Sequence, residues 1–404
     1  MGDIYENSRI TLAATASQDS NGGLFSSDRP VARRLEKHSH LFVQTRLTEF
    51  PTGLMDSVPT SMPLLTRAWV YQERRLSHRT IHFGKHQVYW ECQTDFSSED
   101  SRENTTWNTY AVDLQYPAYL DWGDECADQK IHWQKTVTEY TALELTYESD
   151  RLPAIAAVVD RMSRLQRVGD VYIAGLWKNS ILSDLLWFVH GNGARPVRTA
   201  PSWSWVSAQD LGIRWSAYQF TKEAKVVSLE YTVVGAANLG EVINASILLK
   251  VSILNLTGFD ELDPTDEKGR YDTRFKDISK SASIIELFGQ DNLQIFSTSF
   301  LPDYDLTTAN PPFECGCTVK VLVASTYDVY LGGIVVQQTS KNVPEYRRIG
   351  FLEIYLETTK SEMDGKKDDD SARSDHDGKE KAEEKEANVA RLLLSLPMEE
   401  VRII

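Results

Sequence analysis

Pro63-Leu64-Leu65-Thr66-Arg67-Ala68-Trp69-Val70-Tyr71-Gln72-Glu73-Arg74-Arg75-Leu76-Ser77 is the stretch on which the fold turns. Leu65, Ala68, Trp69, Gln72 and Leu76 recur at helical spacing and form one stripe, so residues 65–77 are predicted to be a helix. Directly after it, Thr80-Ile81-His82-Phe83 and His86-Gln87-Val88-Tyr89-Trp90 flank Gly84-Lys85, the pattern of a hairpin. Alternation puts His86, Val88, Trp90 and Cys92 on one face and Gln87, Tyr89 and Glu91 on the other. Upstream, Ile10-Thr11-Leu12-Ala13-Ala14 has the character of a buried strand, Asn21-Gly22-Gly23 of a turn and Leu41-Phe42-Val43 of a second strand. Residues 1–100 therefore read as α/β.

Downstream the period changes twice. Residues 101–199 read as a helical region, with helices expected over about 130–147, from Leu152-Pro153 through Leu165, and from Leu176 to Val189. From 200 to 404 strands are expected, among them Lys225–Val234, Ser246–Leu256, Ser283–Phe288, Cys317–Ala324, Val329–Gln337 and Ile349–Leu356. Val401-Arg402-Ile403-Ile404 is expected as a final strand closing the sheet, in a sandwich or barrel. Residues 360–388 are dense in Asp, Glu and Lys and carry no aromatic side chain, so a disordered loop is expected there. The fold class is α+β: a partial α/β unit, a helical middle and a β-rich module.

Composition narrows the function. Net charge is −15, which disfavours a phosphate backbone as partner and argues against nucleic acid. No apolar run is long enough for a membrane span, and no secretory signal is legible. The four cysteines, Cys92, Cys126, Cys315 and Cys317, are too sparse for a disulfide framework, so a cytoplasmic protein with free thiols is expected. His78, His82 and His86 are four apart, but Gly84 breaks any helix there, so no metal site is expected. Cys315-Gly316-Cys317 lacks two nearby ligands for a structural zinc. No phosphate-binding glycine loop and no nucleophile elbow is present.

Several segments, in order, resemble the fungal heterokaryon-incompatibility (HET) family. Met1 to Ala14 is similar to its "M-x-x-I-Y-x-x-A-x-x-T-I-x-A", with Ser8 in place of the alanine. Asp19-Ser20-Asn21-Gly22-Gly23-Leu24-Phe25 resembles "D-S-x-x-G-L-F", and Pro63 to Ser77 resembles "P-L-x-x-R-A-W-x-x-Q-E-R-L-L-S". Gln87 to Cys92 is similar to "x-x-x-W-E-C", Leu145 to Ile155 to "L-T-x-x-x-D-R-L-P-A-I", and Ala200 to Trp205 to "A-P-S-W-S-W". The family's upstream segments "Y-x-x-L-S-Y-x-W-G" and "W-I-D-x-x-C-I-N-Q" do not occur. The resemblance therefore implies an N-terminally truncated HET domain, whose sheet lacks its leading strands and exposes its first edge.

What the resemblance implies about function follows. HET proteins serve non-self recognition and trigger programmed cell death of mixed cells, with a protein partner expected. The domain is regarded as related to Toll/interleukin-receptor (TIR) domains, some of which cleave NAD with a glutamate four residues after a tryptophan. Trp69 and Glu73 have that spacing and would stack on one helix face. On that alternative, NAD is a substrate and Glu73 steadies the oxocarbenium-like charge of the ribose. The packing alternative places Trp69 in the core and pairs Glu73 with Arg67, Arg74 or a backbone donor. With strands lacking, packing is favoured: a non-catalytic protein with no cofactor, or an interaction scaffold working through its β-rich module. Asp150-Arg151 reads as a helix N-cap bearing a surface charge, and Trp203 and Trp205 as buried anchors on one strand face.

Overall fold

The computed structural model describes residues 2–26, 33–35, 38–43, 60–92, 95–99, 105–106, 125–165, 169–189, 200–208, 212–215, 218–234, 242–257, 293–304, 306, 318–325, 330–340, 342–358, 393 and 395–404. The expected loop at 360–388, the strand at 283–288 and Cys315 and Cys317 lie outside these residues. The chain divides into two compact units, Met1–Asp170 and Val171–Ile404. The architecture is mixed α+β, and strands dominate the second unit.

The first unit holds α1 (Gly2–Glu6), β1 (Thr11–Ala13), β2 (Arg33–Leu35), β3 (His38–Val43), α2 (Ala68–Leu76), β4 (Arg79–Phe83), β5 (Val88–Cys92), β6 (Asp95–Ser98), β7 (Thr105–Thr106), α3 (Glu125–Thr141) and α4 (Ala156–Leu165). The helix expected at 65–77 is present as α2, entered through a 3-10 turn at Pro63–Thr66, where proline suits the first position. The hairpin is present too, with Phe83 opposite Val88 and Arg79 opposite Cys92. Its Tyr89 and Glu91 face is the buried one.

β1 runs parallel to β4, while β4, β5, β6 and β7 follow one another antiparallel in a five-stranded sheet. β1 is an edge strand among the described residues. The expectation that its residues are buried does not hold, since Leu12 is 55% exposed. Among the described residues nothing covers the sheet face to which Leu12 points. α1 and α4 pack on α2, and Met62, Leu65, Val70, Tyr89 and Phe96 form a core between the 3-10 turn, α2 and the sheet.

The second unit begins with β8 (Tyr172–Ile173), β9 (Leu176–Trp177), α5 (Ile181–Asp184), β10 (Trp187–Val189), β11 (Ile213–Trp215), β12 (Gln219–Phe220) and β13 (Lys225–Val233). It continues with β14 (Val242–Thr257), β15 (Leu293–Pro302), β16 (Thr318–Ser325), β17 (Tyr330–Ser340), β18 (Val343–Thr358) and β19 (Met398–Ile403). The continuous helix expected from Leu176 to Val189 is corrected: helix is confined to Ile181–Asp184 and the preceding 3-10 turn at Lys178–Ser180. Distant pairing wins over local period here. Trp187–Val189 pairs antiparallel with Ile213–Trp215, and Tyr172 pairs with Trp177 across a two-residue turn. Ala174 and Gly175, at φ 48° and 89°, give that turn its left-handed backbone.

The larger sheet closes on itself. β16, β17, β18, β19 and β14 pair in succession, and a further β14–β16 pairing joins the two ends into a five-strand ring. All these pairings are antiparallel except β18–β19. Ile247, Leu249, Val251 and Ile253 alternate along β14 and are fully buried, as are Val401 and Ile403 opposite them. Gly333 permits the close approach of β16 and β17, because a Cβ there would lie 2.4 Å from the Leu322 carbonyl oxygen. The expected last strand exists as β19, and it links β14 to β18 within the ring.

Candidate functional site

Trp69 and Glu73 lie on α2 as their spacing requires, each partly buried. The Trp69 indole Nε1 donates to Asp150 Oδ2 at 2.9 Å. The Tyr5 phenol is hydrogen-bonded to Glu73, and burial together with that carboxylate pushes the phenol up to about 12. Of the partners expected for Glu73, Arg74 turns elsewhere, to Glu91.

The position of Glu73 relative to the strands is fixed by its own carbonyl. That oxygen accepts from Ser77 N at 3.2 Å and Ser77 Oγ at 2.8 Å. Ser77 Oγ in turn contacts Thr11 Oγ1, the first residue of β1, at 2.8 Å. Glu73 therefore belongs to the helix turn beside the amino end of β1. Nucleotide sites in open α/β sheets form at the carboxyl ends of parallel strands.

Around α2 the unit carries a dense polar framework. Tyr71 donates its hydroxyl to Glu139 Oε2 at 2.7 Å, and Arg75 bonds the same oxygen. Arg74 Nε reaches both oxygens of Glu91, at 3.0 and 2.7 Å. Glu91 Oε2 lies 2.8 Å from His82 Nε2, and His82 Nδ1 lies 3.0 Å from Thr15 Oγ1. Arg74 and His82 hold the Glu91 carboxyl well below the usual carboxylate range against the opposing effect of burial. Burial is the largest influence on His82 and lowers its pKa despite Glu91. The histidine spacing did not reveal this role. The usable signal was alternation, which puts Glu91 on the same hairpin face as Tyr89.

Asp150-Arg151 is corrected from a cap with a surface charge. The Asp150 side chain takes the Trp69 indole, and Arg151 is buried, bonded to Glu148 at 2.8 Å. Trp203 and Trp205 are both fully buried, but Trp205 opens a 3-10 turn, Trp205–Ser207, and is not on a strand. Its Nε1 donates to the Gly175 carbonyl at 2.7 Å. Among the described residues no group of three or more His, Cys, Asp or Glu could hold a metal ion, and Cys92 is not in a disulfide. No described helix is long and apolar enough to cross a membrane.

Sequence comparison agrees with the residues that frame this region. Residues 1–73 match the family model described as Heterokaryon incompatibility protein (HET), a span that runs from α1 to Glu73 itself. The amino-terminal stretch is thus similar to HET-domain sequence. No curated protein and no solved structure matches the chain.

Proposed function

We propose that this chain acts in fungal heterokaryon incompatibility, the non-self recognition linked to programmed cell death, and that it works by binding a protein partner and not by cleaving NAD. The observation that carries this reading is the engagement of both candidate catalytic groups. The Trp69 indole N–H is taken by Asp150, and the Glu73 carboxylate by the Tyr5 phenol. A glutamate that must steady a developing ribose cation needs a substrate cavity at its oxygens, held in productive geometry. Glu73 instead sits in a helix turn beside the amino end of β1, with a phenol on its carboxylate. The HET match over residues 1–73 supplies the incompatibility part of the reading.

Expression in a filamentous fungus tests it. Wild type and Glu73→Ala are introduced in parallel, and growth arrest of transformants is scored. Equal arrest supports a binding role. Arrest by wild type alone, with nicotinamide accumulating in those cells, establishes the TIR-like NAD hydrolase instead.

A further inference from the structure

Four side chains from four segments meet inside the unit Met1–Asp170. Thr15 follows β1, His82 lies in β4, Glu91 in β5 and Arg74 on α2. Thr15 and His82 are fully buried, and the contacts run Thr15 Oγ1 to His82 Nδ1 at 3.0 Å, His82 Nε2 to Glu91 Oε2 at 2.8 Å, and Arg74 Nε to Glu91 at 2.7 Å. This chain of contacts ties α2 to three segments of the five-stranded sheet.

Its proton inventory is restrictive. With the Nε2 proton given to Glu91, Nδ1 accepts the Thr15 hydroxyl proton. A second ring proton would displace that hydroxyl proton toward the Ala13 carbonyl, a longer contact at 3.3 Å. It would also place a cation in a site closed to water. The charged groups facing the ring oppose each other: Glu91 from β5 favours the cation, and Arg74 from α2 disfavours it. Tyr89 is the register partner of His82 on β5.

We propose that the Thr15–His82–Glu91–Arg74 network is an acid-sensitive latch that fastens α2 to the sheet. The closed latch refuses a proton that an opened, solvated His82 accepts near pH ~6.5. Closure is therefore fully favourable above that pH and weakens as pH falls below it. From pH 7.5 to 5.5 the opening equilibrium rises, by at most about tenfold, the ceiling for one proton taken up on opening. Glu91 remains ionised throughout that interval, because its carboxyl is held below the usual carboxylate range. The response thus belongs to His82.

Amide hydrogen exchange over α2 and β4 in the full chain tests this, with rates corrected for intrinsic exchange at each pH. The expected result is a rise in opening of up to about tenfold for wild type and a flat profile for His82→Gln, which retains hydrogen-bonding groups but does not titrate. A flat wild-type profile, or the same rise in the variant, overturns the latch. Should His82→Gln not fold, imidazole nitrogen shifts in wild type decide. The ring of the folded chain is expected to take its proton below the ordinary imidazole range, and a folded-state midpoint at or above ~6.5 overturns the proposal.

Discussion

The two units solve the same problem, ordering a chain around buried polar groups, in opposite ways. Met1–Asp170 distributes its ionised groups over many partners around α2: Arg74 with Glu91, Arg75 with Glu139, Arg151 with Glu148. Val171–Ile404 buries Asp184 against Ser180 and, apart from it, gathers its most deeply buried ionisable groups into one pair. Arg348 is fully buried on β18 and donates to Asp303 at 2.8 Å and to the carbonyls of Leu185 and Trp187. Its guanidinium also stacks over the Trp187 ring, 3.4 Å from the centroid. The remainder of that unit's interior is mainly aliphatic strands in a ring. A distributed network can open locally, whereas a node that joins β18, β10 and the end of β15 fails as a whole.

The largest effect is therefore expected at the node. Arg348→Met leaves Asp303 buried without its cation and costs roughly 3–5 kcal/mol in denaturant unfolding. Burial already raises the Asp303 carboxyl, so without Arg348 it takes up a proton in the folded state. Its folded pKa then exceeds the unfolded one, so the loss is greatest at neutral pH and shrinks as pH falls toward the carboxylate range. A loss below about 1 kcal/mol at neutral pH would refute the concentrated-charge account.

Gly175→Ala comes next. The residue has φ 89°, and a Cβ would lie 2.6 Å from Trp205 Nε1. The expected cost is about 2 kcal/mol or more, visible as a lowered denaturant midpoint and altered near-ultraviolet tryptophan dichroism. In the first unit the steps are smaller. Trp69→Phe removes one indole hydrogen bond to Asp150 and should cost about 1 kcal/mol. Arg164→Ala removes an exposed contact with Glu6 and Asp160, and its effect on unfolding should stay within about 0.5 kcal/mol. If Arg164→Ala matched Arg348→Met, the contrast between the units would dissolve.

What was legible in the sequence follows the same division. α2 and the β4–β5 hairpin were readable because period and turn chemistry agree locally, from Leu65 to Leu76 and around Gly84. β14 and β19 were readable from apolar runs bounded by turns. The segment Leu176–Val189 misled because Leu182, Leu185 and Leu186 suit a helix, while Trp187–Val189 is claimed by residues 213–215. No local pattern carries that information. The two deepest polar clusters were hidden for the same reason. Arg348 meets Asp303 across 45 positions, and His82 meets Thr15 across 67. For Trp69 and Glu73 the spacing was visible, but their engagement by Asp150 and Tyr5 required the fold.

NAD turnover by the purified full chain is the most direct test of the central claim that Glu73 is a packing residue. Nicotinamide release is followed for wild type beside Glu73→Ala under identical conditions. The expected result is release at the buffer rate by both proteins. Release above buffer by wild type that falls to buffer in Glu73→Ala would contradict it.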